Sequence, residues 1–334
     1  MIHIYLDAMG GDNAPRCTVA GAIEILRADK DLKITLGGVS KEIEPLLNGA
    51  DDVRGRIAID ECTEIITNHD APVMAIRQKK DAAQVKGMLM VKNGEADGFV
   101  SAGSTGATLA GGMFRLGRID GVERPALAPL LPNGKDFFCL IDCGANVDCL
   151  PQYLPQFGVM GAAYIHCVRG IENPRVGLVN IGAESEKGNA LVKAAYPLME
   201  QAPFNFVGNV EGRDITGDVA DVVVCDGFSG NLILKFMEGV AGTLLGIIKK
   251  EMMADTRGKI GGLIAKPAFR RVKKTMDYTE VGGAPLLGVK GVVVKAHGSS
   301  NAHAIACAIR QAALMKRKGL VDEIEKEISK QLQP

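Results

Sequence analysis

Four apolar runs in this chain end in turns rich in glycine, serine and asparagine, and each turn leads toward a helical pattern. The turns span residues 7–12, 101–106, 181–183 and 226–231. Such a turn presents backbone N–H groups to an anion, and glycine lets the backbone approach closely because it has no Cβ. The turns that follow parallel strands meet at the carboxyl edge of the sheet. We therefore expect a cleft that binds an oxyanion or a phosphate group.

Two polar side chains in these turns could act on such a ligand. Lys187 stands at the predicted start of a helix, where the helix dipole disfavours a cation, so we expect it to face a phosphate or a developing oxyanion. The alternative is a solvent-exposed lysine offset by Glu184 and Glu186. Asn231 opens a long helix, where its amide could donate a hydrogen bond to a thioester or acyl phosphate oxygen. Alternatively, Asn231 is only a helix-start residue.

His297 follows another strand and could be a general acid or base, or a structural hydrogen-bond donor. Asp7 and Asp12 could orient a substrate or protonate a leaving group, or serve only in turns and caps. The chain has no G-x-S-x-G elbow and no cysteine in a recognisable nucleophile setting. We therefore expect one bound substrate to attack the other directly, without a covalent enzyme intermediate.

Composition and missing motifs exclude several classes of function. The chain lacks the G-x-G-x-x-G and G-x-x-x-x-G-K-[ST] nucleotide motifs. Its 39 basic and 39 acidic residues balance and aromatics make up only 4%, so no nucleic-acid partner is expected. The eight cysteines never form C-x-x-C, which argues against zinc and fits reduced thiols in the cytosol. We see no secretory leader and expect no membrane-spanning segment.

Strand-like and helical segments alternate along the chain, which predicts an α/β fold with a mostly parallel or mixed sheet covered on both faces. The predicted strands are 2–6, 32–37, 56–60, 97–100, 126–131, 137–141, 176–180, 204–207, 221–225 and 290–294. The main predicted helices are 14–26, 82–91, 105–116, 152–168, 187–199 and 301–315. No linker is evident, so residues 1–334 are expected to form one compact domain, with two lobes as one possibility.

The segment 229–278 departs from this alternation. Residues 231–253 carry an apolar stripe typical of a long, mostly buried helix. A short apolar tip at 259–267 follows, and between residues 249 and 274 there are nine basic and two acidic residues. This pattern predicts a helical hairpin that attaches to anionic lipid, or one that packs in a dimer interface, or both.

Seven stretches in order along the chain carry recognisable motifs. They are DAMGGDNAP at 7–15, SAGSTGA at 101–107, IDCGANVD at 141–148, VNIGAESEKGN at 179–189, FVGNVEG at 206–212, DGFSGNLILK at 226–235 and KAHGSSN at 295–301. Taken together, these stretches closely resemble the bacterial phosphate acyltransferase family, PlsX.

The resemblance implies an enzyme that converts long-chain acyl-(acyl carrier protein) and inorganic phosphate to acyl phosphate and free carrier protein, the first step of phosphatidic acid synthesis. It implies a Rossmann-like α/β/α sandwich related to phosphotransacetylases and to isocitrate/isopropylmalate dehydrogenases. It also implies a cytoplasmic homodimer, no metal or nucleotide cofactor, and delivery of product to an acyl-phosphate-using glycerol-3-phosphate acyltransferase. Peripheral attachment to the inner face of the cell membrane is expected through a tip at 261–267.

The family's important lysine and asparagine match Lys187 and Asn231, and with His297 these are the predicted catalytic residues. The predicted substrate-binding residues are Asp7, Gly10, Gly11, Asp12, Ser101, Gly103, Ser104, Thr105, Gly106, Asn146, Gly182, Asn189, Asp226, Ser229, Gly230 and Ser299. The predicted membrane contacts are Leu263, Ile264, Ala265, Lys266, Arg270 and Arg271.

Three other functions stay open at this stage. One is acyl transfer between coenzyme A and phosphate, as in phosphotransacetylases. Another is a non-catalytic membrane scaffold that recruits acyl carrier protein. A nicotinamide-dependent dehydrogenase is suggested by fold analogy alone, and the missing dinucleotide motif opposes it.

Overall fold

Alternating strands and helices build the molecule, as seen in a computed structural model that describes residues 1–276 and 281–331. The strands are β1 (Ile2–Asp7), β2 (Leu32–Gly38), β3 (Ile57–Glu61), β4 (Gly98–Ser101), β5 (Ala126–Leu127), β6 (Leu130–Pro132), β7 (Phe137–Ile141), β8 (Arg175–Asn180), β9 (Asn205–Glu211), β10 (Val222–Val224), β11 (Ala284–Leu287) and β12 (Val292–Lys295).

The helices are α1 (Arg16–Ala28), α2 (Ser40–Ile43), α3 (Asp51–Arg54), α4 (Pro72–Gln78), α5 (Ala83–Lys92), α6 (Thr105–Gly111), α7 (Tyr153–Arg169), α8 (Ala190–Glu200), α9 (Gly227–Met252), α10 (Thr256–Met276), α11 (Ala302–Arg317) and α12 (Leu320–Gln331). A 3₁₀ turn at Glu44–Leu47 follows α2, and a π-helical turn at Gly112–Leu116 continues α6.

The strands form two sheets. In the first, the order is β3-β2-β1-β4-β12-β11-β5, and the five strands from β3 to β12 are parallel. In the second, the order is β6-β7-β10-β8-β9, and the four strands from β7 to β9 are parallel. Parallel strands with both faces covered are continuously apolar, as the wholly buried run Val222–Val224 illustrates.

Helices cover both faces of the sheets, because successive strand side chains point to opposite sides. In β1, Ile4 and Leu6 pack in one apolar cluster with residues of α1 and α11, whereas Tyr5 packs in another with Met88 of α5. These contacts place helices on either side of the first sheet. The predicted α/β/α sandwich is confirmed.

Most predicted elements are present with small shifts at their ends. The strand expected at 126–131 divides into β5 and β6, which belong to different sheets, and the sequence analysis missed β11. The helix expected at 187–199 begins instead at Ala190, because the Asn189 side chain accepts a hydrogen bond from the N–H of Val192 (2.9 Å) and caps it. Lys187 therefore precedes the helix, and the helix-dipole argument for this lysine is wrong.

The hairpin α9–α10 differs from its prediction in two ways. The expectation that α9 is mostly buried is wrong: among its residues only Gly227 and Gly230 are buried, since the helix runs out beyond the sheets. The connection between the helices lies at 253–255, where the Asp255 carboxylate accepts the N–H of Gly258 (2.6 Å) and begins α10. The expected tip at 261–267 is therefore inside α10. Residues 277 and 278 of the predicted segment lie outside the described residues.

By length and composition alone, α9 qualifies as a candidate membrane span, with a mean hydropathy of 1.5. The sequence analysis did not anticipate this property. The helix begins, however, directly after the buried strand β10 and packs its first turn against the protein.

The seat of α9 against the end of β7 yields a stability prediction. A Cβ on Gly230 would lie 1.9 Å from the carbonyl oxygen of Asp142, so we expect Gly230→Ala to lower the free energy of unfolding by more than about 3 kcal/mol. A Cβ on Gly239, farther along the same helix, meets nothing within 4 Å. Gly239→Ala should stabilise the protein by roughly 0.5–1 kcal/mol. Urea unfolding measures the free energy of unfolding of both variants, and equal values would contradict the close approach of Gly230 to Asp142.

Candidate active site

A cavity of about 330 Å³ opens where β1, β4 and β12 end. These three parallel strands are neighbours in the sheet, so the turns that follow them meet at one edge. The first turns of α9 form the opposite wall. The lining includes Gly103 and Gly298 of the turns, and the polar side chains around the cavity are Asp12, Asn68, Thr105, Asn231, Lys235, Glu238, Lys295, His297 and Ser300.

Hydrogen bonds fasten the turn after β1 to the turn after β12. The N–H of Asp12 donates to the carbonyl of Gly298 (2.8 Å), and the Asn13 amide donates to the carbonyls of Ser299 and Ser300 (3.3 and 3.2 Å). Gly11 has a φ of +104°, a backbone conformation that favours glycine, and a Cβ there would lie 3.0 Å from the carbonyl oxygen of Gly298. Gly11 therefore lets the two turns close on one another.

A buried polar network lies beneath the cavity. The Ser101 hydroxyl donates to the Asp7 carboxylate (2.7 Å) and accepts from the N–H of Gly103 (3.0 Å) and the Gln84 amide (3.3 Å). Burial raises the pKa of Asp7, and the hydrogen bonds from Ser101 and Met9 oppose that rise. Gly10 belongs to the same arrangement, since a Cβ there would lie 2.5 Å from the carboxylate. In this structure, the predicted residues Asp7, Gly10 and Ser101 position the turns.

His297 stands on the cavity wall as a neutral imidazole. Its Nδ1 accepts the N–H of Ser299 (3.2 Å) and lies 2.8 Å from the Ser299 hydroxyl, which places the ring proton on Nε2. Burial lowers the pKa of His297, and the positive charge of Lys235 lowers it further. The ring can therefore donate a hydrogen bond through Nε2 at neutral pH, and the predicted residue Ser299 sets its tautomer.

Asn231 lies in the second turn of α9, on the cavity wall, rather than at the helix start. The helix begins at Gly227 and is capped by Asp226, whose carboxylate accepts the N–H and the hydroxyl of Ser229 (both 2.8 Å). Two predicted substrate-binding residues, Asp226 and Ser229, are thus hydrogen-bonded to each other. The Asn231 amide is left at the cavity as a hydrogen-bond donor.

The turns after β8 and β10 form a second cavity, of about 440 Å³. Asn180, Gly188, Asn189, Asp226 and Ser229 line it, together with apolar residues. The four glycine-rich turns therefore form two groups, one at the carboxyl edge of each sheet, and the expectation of a single cleft is wrong. The first turns of α9 lie between the groups, since Asp226 and Ser229 border one cavity and Asn231 borders the other.

Lys187 lies in the turn between β8 and α8. Its ammonium forms an ion pair with the Glu184 carboxylate (2.8 Å), and both side chains are about half exposed. The pairing with Glu184 raises the pKa of Lys187. The neighbouring Gly182 allows this arrangement, since a Cβ there would lie 2.4 Å from the lysine side chain. The structure thus places Lys187 in the solvent-exposed pairing that the sequence analysis held as the alternative.

Three other predicted substrate-binding residues occupy structural positions in the turns. The Asn146 amide donates to the carbonyl of Pro125 (2.8 Å) and to the Asp142 carboxylate (3.0 Å). Ser104 caps α6 by accepting the N–H of Ala107 (3.4 Å), and a Cβ on Gly106 would meet Pro72 at 2.6 Å. Gly103 and Thr105 line the first cavity.

The sequence analysis missed Lys295, which ends β12 and lines the first cavity. It is only 8% exposed, and its ammonium donates to the carbonyl of Ala296. Burial lowers its pKa to about 8, while the charges of Asp7 and Asp12 act in the opposite direction. In the sequence, Lys295 is only a lysine that follows the apolar run Val292–Val294, and its unusual burial is seen only in the folded structure.

Solved structures with a similar fold define the class to which this architecture belongs. A phosphotransacetylase from Streptococcus pyogenes aligns with a TM-score of 0.61 and 18% identity, covering 95% of this chain and 94% of that chain. A branched-chain phosphotransacylase from Enterococcus faecalis V583 gives a TM-score of 0.61 and 15% identity, covering 95% of this chain and 99% of that chain. The fold is that of the phosphotransacetylases.

Sequence comparison is more specific. The family model described as "Fatty acid synthesis protein" matches residues 2–323. A phosphate acyltransferase of Clostridium botulinum (strain Loch Maree / Type A3) is 50% identical over 325 residues, covering 97% of each chain. One from Alkaliphilus oremlandii (strain OhILAs) is 50% identical over 328 residues, covering 98% of each. The chain belongs to this phosphate acyltransferase family, and the predicted enzyme class is confirmed.

Proposed function

We propose that this protein transfers a long-chain acyl group from acyl-(acyl carrier protein) to inorganic phosphate, releasing acyl phosphate and the free carrier thiol. The observation that carries this proposal is the joint position of Asn231 and His297 on one cavity at the ends of three parallel strands. Both side chains can donate hydrogen bonds to the oxygen that gains negative charge when a thioester is attacked. The family relationship supports phosphate as the acyl acceptor.

The reaction proceeds by direct attack. A phosphate oxygen forms a bond to the thioester carbonyl carbon, and the carbonyl oxygen becomes an oxyanion that accepts hydrogen bonds from Asn231 and His297. The carbon–sulfur bond then breaks, and the proton of hydrogen phosphate ends on the departing thiolate. The reaction therefore balances in protons and in electrons.

The properties of Cys143, the cysteine that lines the cavity, argue against an acyl-enzyme intermediate. Cys143 is 6% exposed, and its Sγ lies 3.6 Å from the carbonyl oxygen of Leu140 and 3.8 Å from that of Gly230. Burial raises its pKa well above the usual value for a thiol, so the nucleophilic thiolate is scarce. Phosphate is the nucleophile in this mechanism.

Lys187 remains a proposed catalytic residue. Its ammonium would leave the Glu184 carboxylate and bind the substrate. Its turn borders the second cavity, across the first turns of α9 from Asn231. An exposed ion pair is weak, so an anionic group of the bound substrates can displace Glu184 from the ammonium at little cost.

A coupled assay of both products tests the activity. We expect purified protein with palmitoyl-(acyl carrier protein) and inorganic phosphate to release carrier thiol and form the mixed anhydride, detected by mass spectrometry. Palmitoyl-coenzyme A serves as the comparison substrate, because the phosphotransacetylase fold makes coenzyme A the second candidate carrier. Faster turnover on coenzyme A would replace the proposed donor, and the absence of acyl phosphate with either donor would leave a scaffold role.

Substitution of Asn231 and Lys187 tests the assignment of the site. Asn231→Asp keeps the side-chain shape but removes the N–H donor, so we expect turnover to fall about 10²–10³-fold. Lys187→Ala should also reduce turnover steeply. Melting temperatures should stay near that of the native protein, because Asn231 is exposed and the Lys187–Glu184 pair is at the surface. Near-normal turnover in either variant removes that residue from the mechanism.

We also propose that the hairpin mediates homodimer and membrane contact. Along α9, Leu232, Phe236 and Val240 are 60%, 70% and 47% exposed, which leaves an apolar stripe for a second copy of the chain. On α10, Leu263 and Ile264 are 73% and 76% exposed, and Ala265, Lys266, Arg270 and Arg271 lie on the same helix. Apolar side chains among basic ones suit the surface of an anionic membrane. A cytoplasmic enzyme attached there would release acyl phosphate close to a glycerol-3-phosphate acyltransferase.

Vesicle sedimentation tests the membrane contact. The double substitution Leu263→Glu and Ile264→Glu should weaken binding to anionic phospholipid vesicles by at least about tenfold, because it removes apolar burial and adds negative charge. Val219→Glu is the control, since Val219 is 41% exposed and lies outside the hairpin, in the loop before β10. Equal sedimentation of the double variant and the native protein would refute lipid contact by α10.

A further inference from the structure

We propose that Lys295 is a ligand of the anionic substrate, with its ammonium bound to the phosphate dianion in the cavity that Asn231 and His297 line. The identity of the anion rests on the proposed function. The position of the site rests on the geometry around Lys295 alone.

Lys295 carries a buried charge that no counter-ion among the described side chains balances. Lys295 is 8% exposed, and its ammonium donates to the carbonyl oxygen of the adjacent Ala296. Among the side chains that the structure describes, at residues 1–272 and 281–330, no carboxylate oxygen lies within 4.0 Å of it. A buried ammonium in this state is unfavourable unless an anion joins it.

The carboxylates near Lys295 are not positioned to pair with its ammonium. Asp7 is buried and already accepts hydrogen bonds from the Ser101 hydroxyl and the N–H of Met9. Asp12 lies exposed at the cavity rim. Their charges nevertheless oppose the effect of burial, which lowers the pKa of Lys295 to about 8. At neutral pH the side chain therefore remains largely protonated and able to attract an anion.

Lys295 differs from the other lysines near the site. Lys235 also lines the cavity, but it forms an ion pair with Glu238 (2.8 Å) and is half exposed. Lys187 forms its pair with Glu184 in the turn after β8. Lys295 lies in register with Ser101 of β4, so it is fixed between the network of Asp7 and the wall that carries His297.

Replacement of the charge tests the assignment. In Lys295→Met, we expect the Kd of inorganic phosphate, measured by ³¹P NMR without acyl substrate, to rise about 10- to 100-fold. The KM for phosphate should rise to a similar extent, while the KM for the acyl donor stays within about twofold. Lys290→Met is the matched control: it removes a lysine just before β12 that is about half exposed and paired with Asp120 (2.7 Å). It should leave phosphate binding unchanged.

Stability separates a substrate ligand from a structural lysine. Because an unpaired buried ammonium destabilises the folded state, Lys295→Met should melt at the same or a higher temperature than the native protein in phosphate-free buffer at pH 7. Added phosphate should stabilise the native protein more than the variant. Unchanged phosphate affinity in a folded Lys295→Met protein would overturn the proposal.

The unmodified protein provides a second test if the variant does not fold. Between about pH 8 and pH 10, phosphate remains a dianion while Lys295 loses its proton, so phosphate affinity should fall. Asp7, Asp12, Lys235, Glu238 and His297 also face this region, and among them Lys235 is the other cation. Lys235→Met should retain the fall in affinity, and a flat profile in both proteins would overturn the proposal. Phosphate binding that depends on Lys295 without acyl phosphate formation would refute the proposed function and leave this site standing.

Discussion

The close seat of α9 on the end of β7 is the contact on which the rest of the molecule depends. The N–H of Gly227 donates to the carbonyl of Asn146 (2.7 Å), and Gly230 lies so near Asp142 that a Cβ there would be 1.9 Å from its carbonyl oxygen. Only glycine permits both approaches. This seat directs the next residue, Asn231, to the cavity and sends the remainder of the helix away from the sheets.

A buried carboxylate holds that seat in place and joins the two sheets. Asp142 follows β7 in the second sheet and accepts the N–H of Leu127, which belongs to β5 in the first sheet (2.9 Å). It also accepts the N–H groups of Ala145 (3.1 Å) and Asn146 (2.6 Å). Burial raises the pKa of Asp142 to about 6, and these hydrogen bonds oppose the rise. The polar interior therefore organises the backbone, whereas the residues proposed for the chemistry line the cavity at the strand ends.

Local sequence was enough to predict most of the elements and several of the residues that line the first cavity. Apolar runs followed by glycine-rich turns predicted the strand ends that carry Asp12, Gly103 and His297. Local sequence could not predict which turns lie together, because their positions depend on the order of the strands in the sheets. The neighbours β1, β4 and β12 are separated by long stretches of chain, and β8 and β10 belong to another sheet. The four turns therefore looked equivalent in sequence although they line two cavities.

The remaining differences have equally local causes. The helix α8 begins after Asn189 rather than at Lys187, because the Asn189 side chain can accept a hydrogen bond from a backbone N–H and a lysine side chain cannot. Asp255 ends the hairpin connection in the same way, so the glycines and Pro267 of the expected tip stay inside an exposed helix. Lys295 escaped notice because burial is a property of the assembled sheet, whereas a charged residue at a strand end is ordinary in sequence.

The position of Asn231 along α9 has a mechanical consequence. It immediately follows Gly230, so it lies about 1.5 Å along the axis from that glycine, whereas Met252 lies about 33 Å away. If the helix pivots at Gly230 by about ten degrees, its distal end moves by roughly 6 Å, whereas the amide, about 6 Å from the pivot, moves by only about 1 Å. The distal part of α9 can therefore move several times farther than Asn231, and it can follow an uneven or moving surface with little displacement of the residues at the cavity.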